Sequence, residues 1–185
     1  MSNNKIILSL LFILCFANLS HTQTKEQSIR DIRKKFALIN TDSSFTKITM
    51  DNEEFLEHST CNGAEISGFF KGDDLKRVEL FVGKSNGVQK TEYYYWNNKL
   101  FFVYQEEDSF YYDTNTGVLD YDSVATHFEG RYYFADGKLI ENKLKGELIM
   151  DDVDKINPNE IAESLLKQAK EYADLLETKK QKGSK

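Results

Sequence analysis

The chain has 185 residues, with 30 acidic side chains against 24 Lys and Arg, a formal net charge of −6, 13% aromatic residues and one proline. An acidic chain of this kind repels phosphate backbones and anionic lipid, so nucleic-acid and membrane-surface roles lack their electrostatic footprint. With two cysteines it has no disulfide framework to lean on and must build an ordinary core.

Lys5 precedes an unbroken apolar run from Ile6 to Ala17, followed by polar residues. The run is too short to span a bilayer and reads as a secretory signal peptide over residues 1–22, cut before Gln23. Cutting 22 residues from 185 leaves 163, removes Cys15 and Lys5, and takes the net charge to −7. A chain of that length buries roughly two thirds of its surface in one core. The expected organisation is one α+β domain over residues 23–178 and a basic flexible tail over 179–185, exported to the periplasm or cell exterior, with no membrane segment in the mature form.

Ile29, Ile32, Phe36 and Ile39 recur at helical spacing, with Thr24 and Gln27 placed as a capping box and a polar stop from Asn40 onward. Residues 45–50 favour a short strand, and 51–57 could add a helical turn. From Ala64 to Lys145 the period is that of strands, with turn residues every 8 to 12 positions. The pattern predicts a curved antiparallel meander of about seven or eight strands. Gly83 to Gly87 reads as a flexible link, and 106–126 as a loop holding an Asp113–Gly117 turn. The only proline, Pro158, follows Asn157 as an N-cap, and Ile161, Leu165, Ala169, Tyr172 and Leu176 make the stripe of a second amphipathic helix. The two helices flank the sheet.

The plainest signal is Tyr93-Tyr94-Tyr95-Trp96-Asn97-Asn98-Lys99-Leu100-Phe101-Phe102, two aromatic runs around an Asn pair that tolerates the positive φ of a type I′ turn. Tyr133-Phe134-Ala135-Asp136-Gly137-Lys138-Leu139 and Phe69-Phe70-Lys71-Gly72-Asp73-Asp74-Leu75 repeat the spacing. Strict alternation from two-residue turns pairs Tyr94 with Phe101 and Tyr93 with Phe102. It places Tyr93, Tyr95, Leu100 and Phe102 on a core face, with Phe70, Leu75, Phe134 and Leu139. Tyr94, Trp96 and Phe101 fall on the other face, with Tyr133, Ile140 and Phe69. Either helices and loops cover both faces, or the second stays exposed and stacks on a small ligand or partner protein through Tyr94, Trp96, Phe101 and Tyr133.

The hairpin words Glu92 to Tyr104 and Arg131 to Ile140 resemble small exported bacterial proteins of uncharacterised function. In these, an amphipathic helix ending near an Ile-Asn pair, here Ile39-Asn40, precedes a Gly-rich strand and such hairpins. The aromatic-aromatic-x-x-Gly-Lys-Leu words are also similar to membrane-occupation-and-recognition-nexus repeats. Neither resemblance implies a catalytic residue.

Signals for chemistry are sparse. His58, Cys61 and His127 are the candidates for an enzyme, but no cysteine-enzyme signature surrounds Cys61, and His58 with Cys61 supplies only two metal ligands. Asp113, Asn115, Asp120 and Asp122 alternate as calcium-loop oxygens do, yet the Glu that closes such a loop is missing and Asx turns use the same residues. Phosphate loops and nucleophile elbows are absent. The residues favour a non-enzymatic exported binding protein without a cofactor. The alternatives are an enzyme on His58, Cys61 and His127, and an envelope-structural or assembly role.

Overall fold

The computed structural model describes residues 24–56, 60–146 and 158–183. Helix α1 spans 24–41. Strand β1 (Thr46–Asp51) leads into the single turn of α2 (Asn52–Phe55). Then come β2 (Ala64–Lys71), β3 (Asp74–Lys84), β4 (Gly87–Trp96), β5 (Lys99–Asp113), β6 (Val118–Ala135) and β7 (Lys138–Gly146), followed by α3 (Pro158–Gly183). The seven strands form one open antiparallel sheet in chain order. The fold is the α+β meander flanked by N-terminal and C-terminal helices that the residue pattern predicts. The signal-peptide reading, His58, the Asn157 cap and the aspartates of 151–154 lie outside the described residues.

The three like hairpins share more than a turn. Asn97 and Asn98 take φ of 50° and 59°, Asp136 and Gly137 take 48° and 73°, and in the first hairpin Gly72 takes 61°. The pairings next to the turns are Phe70 with Leu75, Tyr95 with Leu100 and Phe134 with Leu139. Each ladder then skips one residue. Lys76, Phe101 and Ile140 are left over, and pairing resumes as Phe69 with Arg77, Tyr94 with Phe102 and Tyr133 with Glu141. A bulge sets two successive side chains on one face. Strict alternation therefore misplaces Phe102: it lies opposite Tyr94, not Tyr93, and joins Phe101 on the second face, while Val103 takes the place beside Tyr93.

Both faces carry a core. On one, α3 buries Ala162, Leu165, Ala169 and Leu176 against Ile66, Phe70, Val78, Tyr93, Tyr95, Val103, Tyr132 and Phe134. Gly68 makes the close approach possible, because a Cβ there would lie 2.9 Å from the Phe70 ring and 3.0 Å from Leu176. Tyr93 donates to Gln168 Oε1 at 2.8 Å and Tyr95 to the Ala169 carbonyl at 2.7 Å, so these two buried hydroxyls keep a partner on the helix. On the other face α1 buries Ile29, Ile32 and Ile39, with Phe36 packed beside them, against Tyr94, Phe101, Phe102 and Tyr133.

Two expected loops are ordered otherwise. Ser85 and Asn86 form a two-residue turn between β3 and β4, not a flexible link, and 106–126 is mostly strand, since β5 and β6 stay paired out to Asp113 and Val118. Among the described residues no helix is long and apolar enough to cross a membrane.

Leu176 is fully buried beneath α3, whereas its neighbour Leu175 is exposed. Leu176→Ala should cost about 3 kcal/mol in urea unfolding and Leu175→Ala less than about 0.5 kcal/mol. Equal costs would contradict the packing of α3 on the sheet.

Candidate functional site

Helix α1 crosses the sheet at the end that carries the three bulged turns. Its Lys25 pairs with Glu141 on β7 at 3.2 Å, Phe36 packs on Tyr94 and Phe102 at ring separations of 4.9 and 5.3 Å, and Asn40 accepts from Arg77 on β3 at 2.8 Å. The helix stops at Asp42, whose carboxylate accepts from the Ser44 amide and hydroxyl and pairs with Lys71.

The four aromatic residues expected as an open binding surface are thereby placed. Tyr94, Phe101 and Tyr133 are at most 5% exposed and lie under α1. Trp96 is half-buried, with the Lys35 and Lys76 ammonium groups 5.8 and 5.3 Å from its ring. The expectation of a broad exposed aromatic face is corrected: these rings are the floor and packing of the α1 core. A helix stripe of Ile29, Ile32, Phe36 and Ile39 needs an apolar partner, and this face is the one α3 leaves free.

Past α1 the same face turns polar, in two rows across the sheet. Register puts Ser67, Glu79, Glu92, Tyr104, Arg131 and Lys143 in the first, and Glu65, Phe81, Lys90, Glu106, Glu129 and Lys145 in the second. Most charges are matched: Arg77 to Glu79 at 2.9 Å, Lys90 to Glu106 at 3.2 Å and to Asp108 at 3.1 Å, Arg131 to Glu129 at 3.1 Å. Glu92 is matched differently, by the Tyr94 hydroxyl, which donates to its Oε2 at 2.6 Å. Burial raises the Tyr94 pKa, and the same hydrogen bond adds to the shift. Tyr104 donates to Glu106 at 2.8 Å, and its pKa is pushed up to about 12 by burial and then by that bond.

Where the α1 core meets these rows, a cleft of about 380 Å³ opens, lined by Ile32, Arg33, Phe36, Glu92, Phe102, Tyr104, Arg131 and Tyr133. Its floor is aromatic and its rim carries two guanidinium groups and a carboxylate. Arg131 stacks over Tyr104 at 5.2 Å, while the Arg33 guanidinium makes no ion pair or hydrogen bond among the described residues. Such a mix of apolar wall and few polar groups is the usual make-up of a small-ligand pocket. Of the residues proposed from sequence only Tyr133 lines it. Tyr104 and Arg131 would have followed from continuing the alternation beyond Phe102, had the bulge been known, and Arg33 from the position next to the apolar stripe.

The enzyme candidates do not gather here. Cys61 is exposed in the turn before β2 and His127 is exposed in β6, with β3, β4 and β5 running between those strands. The calcium-like oxygens are engaged locally: Asp113 accepts from the Asn115 amide at 2.8 Å and the Thr116 hydroxyl at 2.9 Å, and Asp120 from the Asp122 amide at 3.0 Å. Among the described residues no three His, Cys, Asp or Glu side chains group to hold a metal ion.

Compared with protein-family models, with curated proteins and with solved structures, the chain has no match in any of the three.

Glu79 faces Glu92 directly across β3 and β4. Burial raises its pKa above the ordinary glutamate value, Arg77 opposes this, and Glu92 and Glu65 add to it. A raised folded-state value means that its favourable contribution is complete below the ordinary glutamate range and is lost as pH rises through the raised pKa. Glu79→Gln should therefore melt above the wild type at about pH 7 and level with it at about pH 4. A lower melting temperature at neutral pH would show that the Arg77 pair outweighs burial.

Proposed function

We propose that the chain is an exported, non-enzymatic binding protein of the periplasm or cell exterior, and that its ligand occupies the cleft beside α1. The ligand is a small amphipathic molecule, or a partner's side chain, with an apolar body for Phe36, Phe102 and Tyr133 and an anionic head for Arg33 and Arg131. The observation that carries this is the Arg33 guanidinium, unpaired among the described residues, in the wall of a cleft that also reaches the edges of Phe36, Phe102 and Tyr133 of the α1 core. A cation on a helix edge needs no partner in water, but here it shares a concave wall with a second guanidinium. The stack of Arg131 on Tyr104 and its pair with Glu129 hold that second group in place. Glu92 sets a limit, because its carboxylate, fixed by Tyr94, disfavours a ligand with a second anionic group.

Tyr94, Phe101 and Trp96 serve the proposed site from below and beside, as the packing that holds α1 at its height above the sheet. The cleft has no serine, threonine, cysteine, lysine or histidine in its lining.

Anilinonaphthalene sulfonate, an aromatic body with one anionic head, is a suitable probe. Its fluorescence titration should saturate at one site per chain, with affinity reduced about tenfold or more in Arg33→Ala with Arg131→Ala, since a charge-assisted hydrogen bond contributes roughly 1.5 to 3 kcal/mol. Unsaturable binding, or equal affinity in the double variant, would contradict the proposed site.

A further inference from the structure

The β5–β6 hairpin outruns its neighbours. β4 ends with Gly87 opposite Ser109, and β7 ends with Gly146 opposite Phe128. Among the described residues, 111–113 of β5 and 118–127 of β6 thus have no strand on their outer sides. A two-stranded hairpin standing alone in water is marginal. This one also carries Tyr111, Tyr112, Val118, Tyr121 and Val124, exposed from 52% (Val124) to 62% (Tyr111). They are five of the nine large hydrophobic residues exposed in the described structure, so the apolar surface is concentrated on the arm instead of scattered.

A long, free, apolar strand edge is a template for pairing with another chain. The charge says which chain. Between residues 109 and 126 the arm carries Asp113, Asp120 and Asp122 and no Lys or Arg, so two arms repel each other. The complementary edge is on this same protein: β7, the last strand of the sheet, exposes Lys143, Leu144 and Lys145. Leu144 is a sixth of the nine exposed apolar residues. The ion pairs of the two lysines, to Glu141 at 3.5 Å and Glu129 at 3.8 Å, are long and exposed and hold them weakly. Lysines on an edge strand discourage indiscriminate pairing, yet they favour an acidic one.

We propose that the arm docks on a second copy of this chain, along the outer edge of its β7. Among the described residues β7 ends opposite Phe128, so the edge of the sheet steps inward by one strand there, and the step of one copy receives the β7 of the other. The contact is reciprocal: arm on β7 and β7 on arm, related by a two-fold axis, which closes as a dimer without growing into a filament.

The test is sedimentation velocity on the mature chain with reductant present, over a range of concentrations. The wild type should dimerise. Lys143→Asp with Lys145→Asp, and separately Asp120→Lys with Asp122→Lys, should each weaken the dimer about tenfold or more, because every reversal counts twice in a two-fold interface. Combining all four changes in one chain should restore it. Val124→Ser with Tyr121→Ser should weaken it without altering the circular dichroism, since both positions are exposed. A wild type that stays monomeric throughout overturns the proposal, whether the arm is covered by its own chain or not covered. So does a dimer indifferent to the arm and β7 substitutions, or four combined reversals that leave the chain as monomeric as either pair.

Discussion

Phe101 and Phe102 point to the same face of the sheet, and the packing of α1 depends on that doubled step. An unbulged strand would send Phe102 toward α3, leaving Phe36 and Ile32 to meet a thinner layer. With the bulge, Phe36 contacts both Tyr94 and Phe102, and Phe102 contacts Tyr133 at a ring separation of 5.1 Å. The same insertion recurs in the first hairpin with Lys76 and Arg77, which cover Trp96 and Phe69, and in the third with Ile140 and Glu141, which meet the helix core and Lys25. Three bulges at equal distance from three turns align a band of paired side chains across the sheet. The helix lies along that band.

Burying both faces of one sheet concentrates tyrosine where its hydroxyl needs a partner. Tyr93, Tyr94 and Tyr95 solve this in three ways: a glutamine side chain on α3, a strand glutamate on the α1 face, and a helix carbonyl. The middle one has a functional consequence. Tyr94 is buried but its partner Glu92 stands at the rim of the cleft, so the rim carboxylate is oriented by a ring locked under α1. The cleft and the α1 core are one construction, and any ligand there contacts groups whose positions the packing has already set.

The turns, both amphipathic helices and the α3 face were legible because each rests on local rules: positive φ at Asn97 and Asn98, helical spacing of isoleucines and leucines, alternation through Tyr93 and Tyr95. The fate of the second aromatic face was not legible. Whether Tyr94 and Tyr133 are open or covered depends on where α1 lands, and no residue near them encodes that. Phe102 was misassigned because a bulge leaves no trace in the hydrophobic pattern when the inserted residue and its neighbour are both phenylalanine. The stretch 106–126, rich in Asp, Ser and Thr, reads as a loop by composition, but β5 and β6 pair with each other whether or not the rest of the sheet accompanies them. Arg33 and Arg131 were missed for a related reason: helix edge and strand meet only in three dimensions.

The dependence of α1 on the doubled phenylalanine step is open to direct observation by nuclear Overhauser spectroscopy of the mature chain. The Phe102 ring should show cross-peaks to Phe36 and Tyr133, with Val103 methyls reaching Tyr93 and the α3 side chains. Cross-peaks from Phe102 to Leu165 or Ala169, with none to Phe36, would place it on the opposite face and contradict the bulged register on which the packing and the cleft both stand.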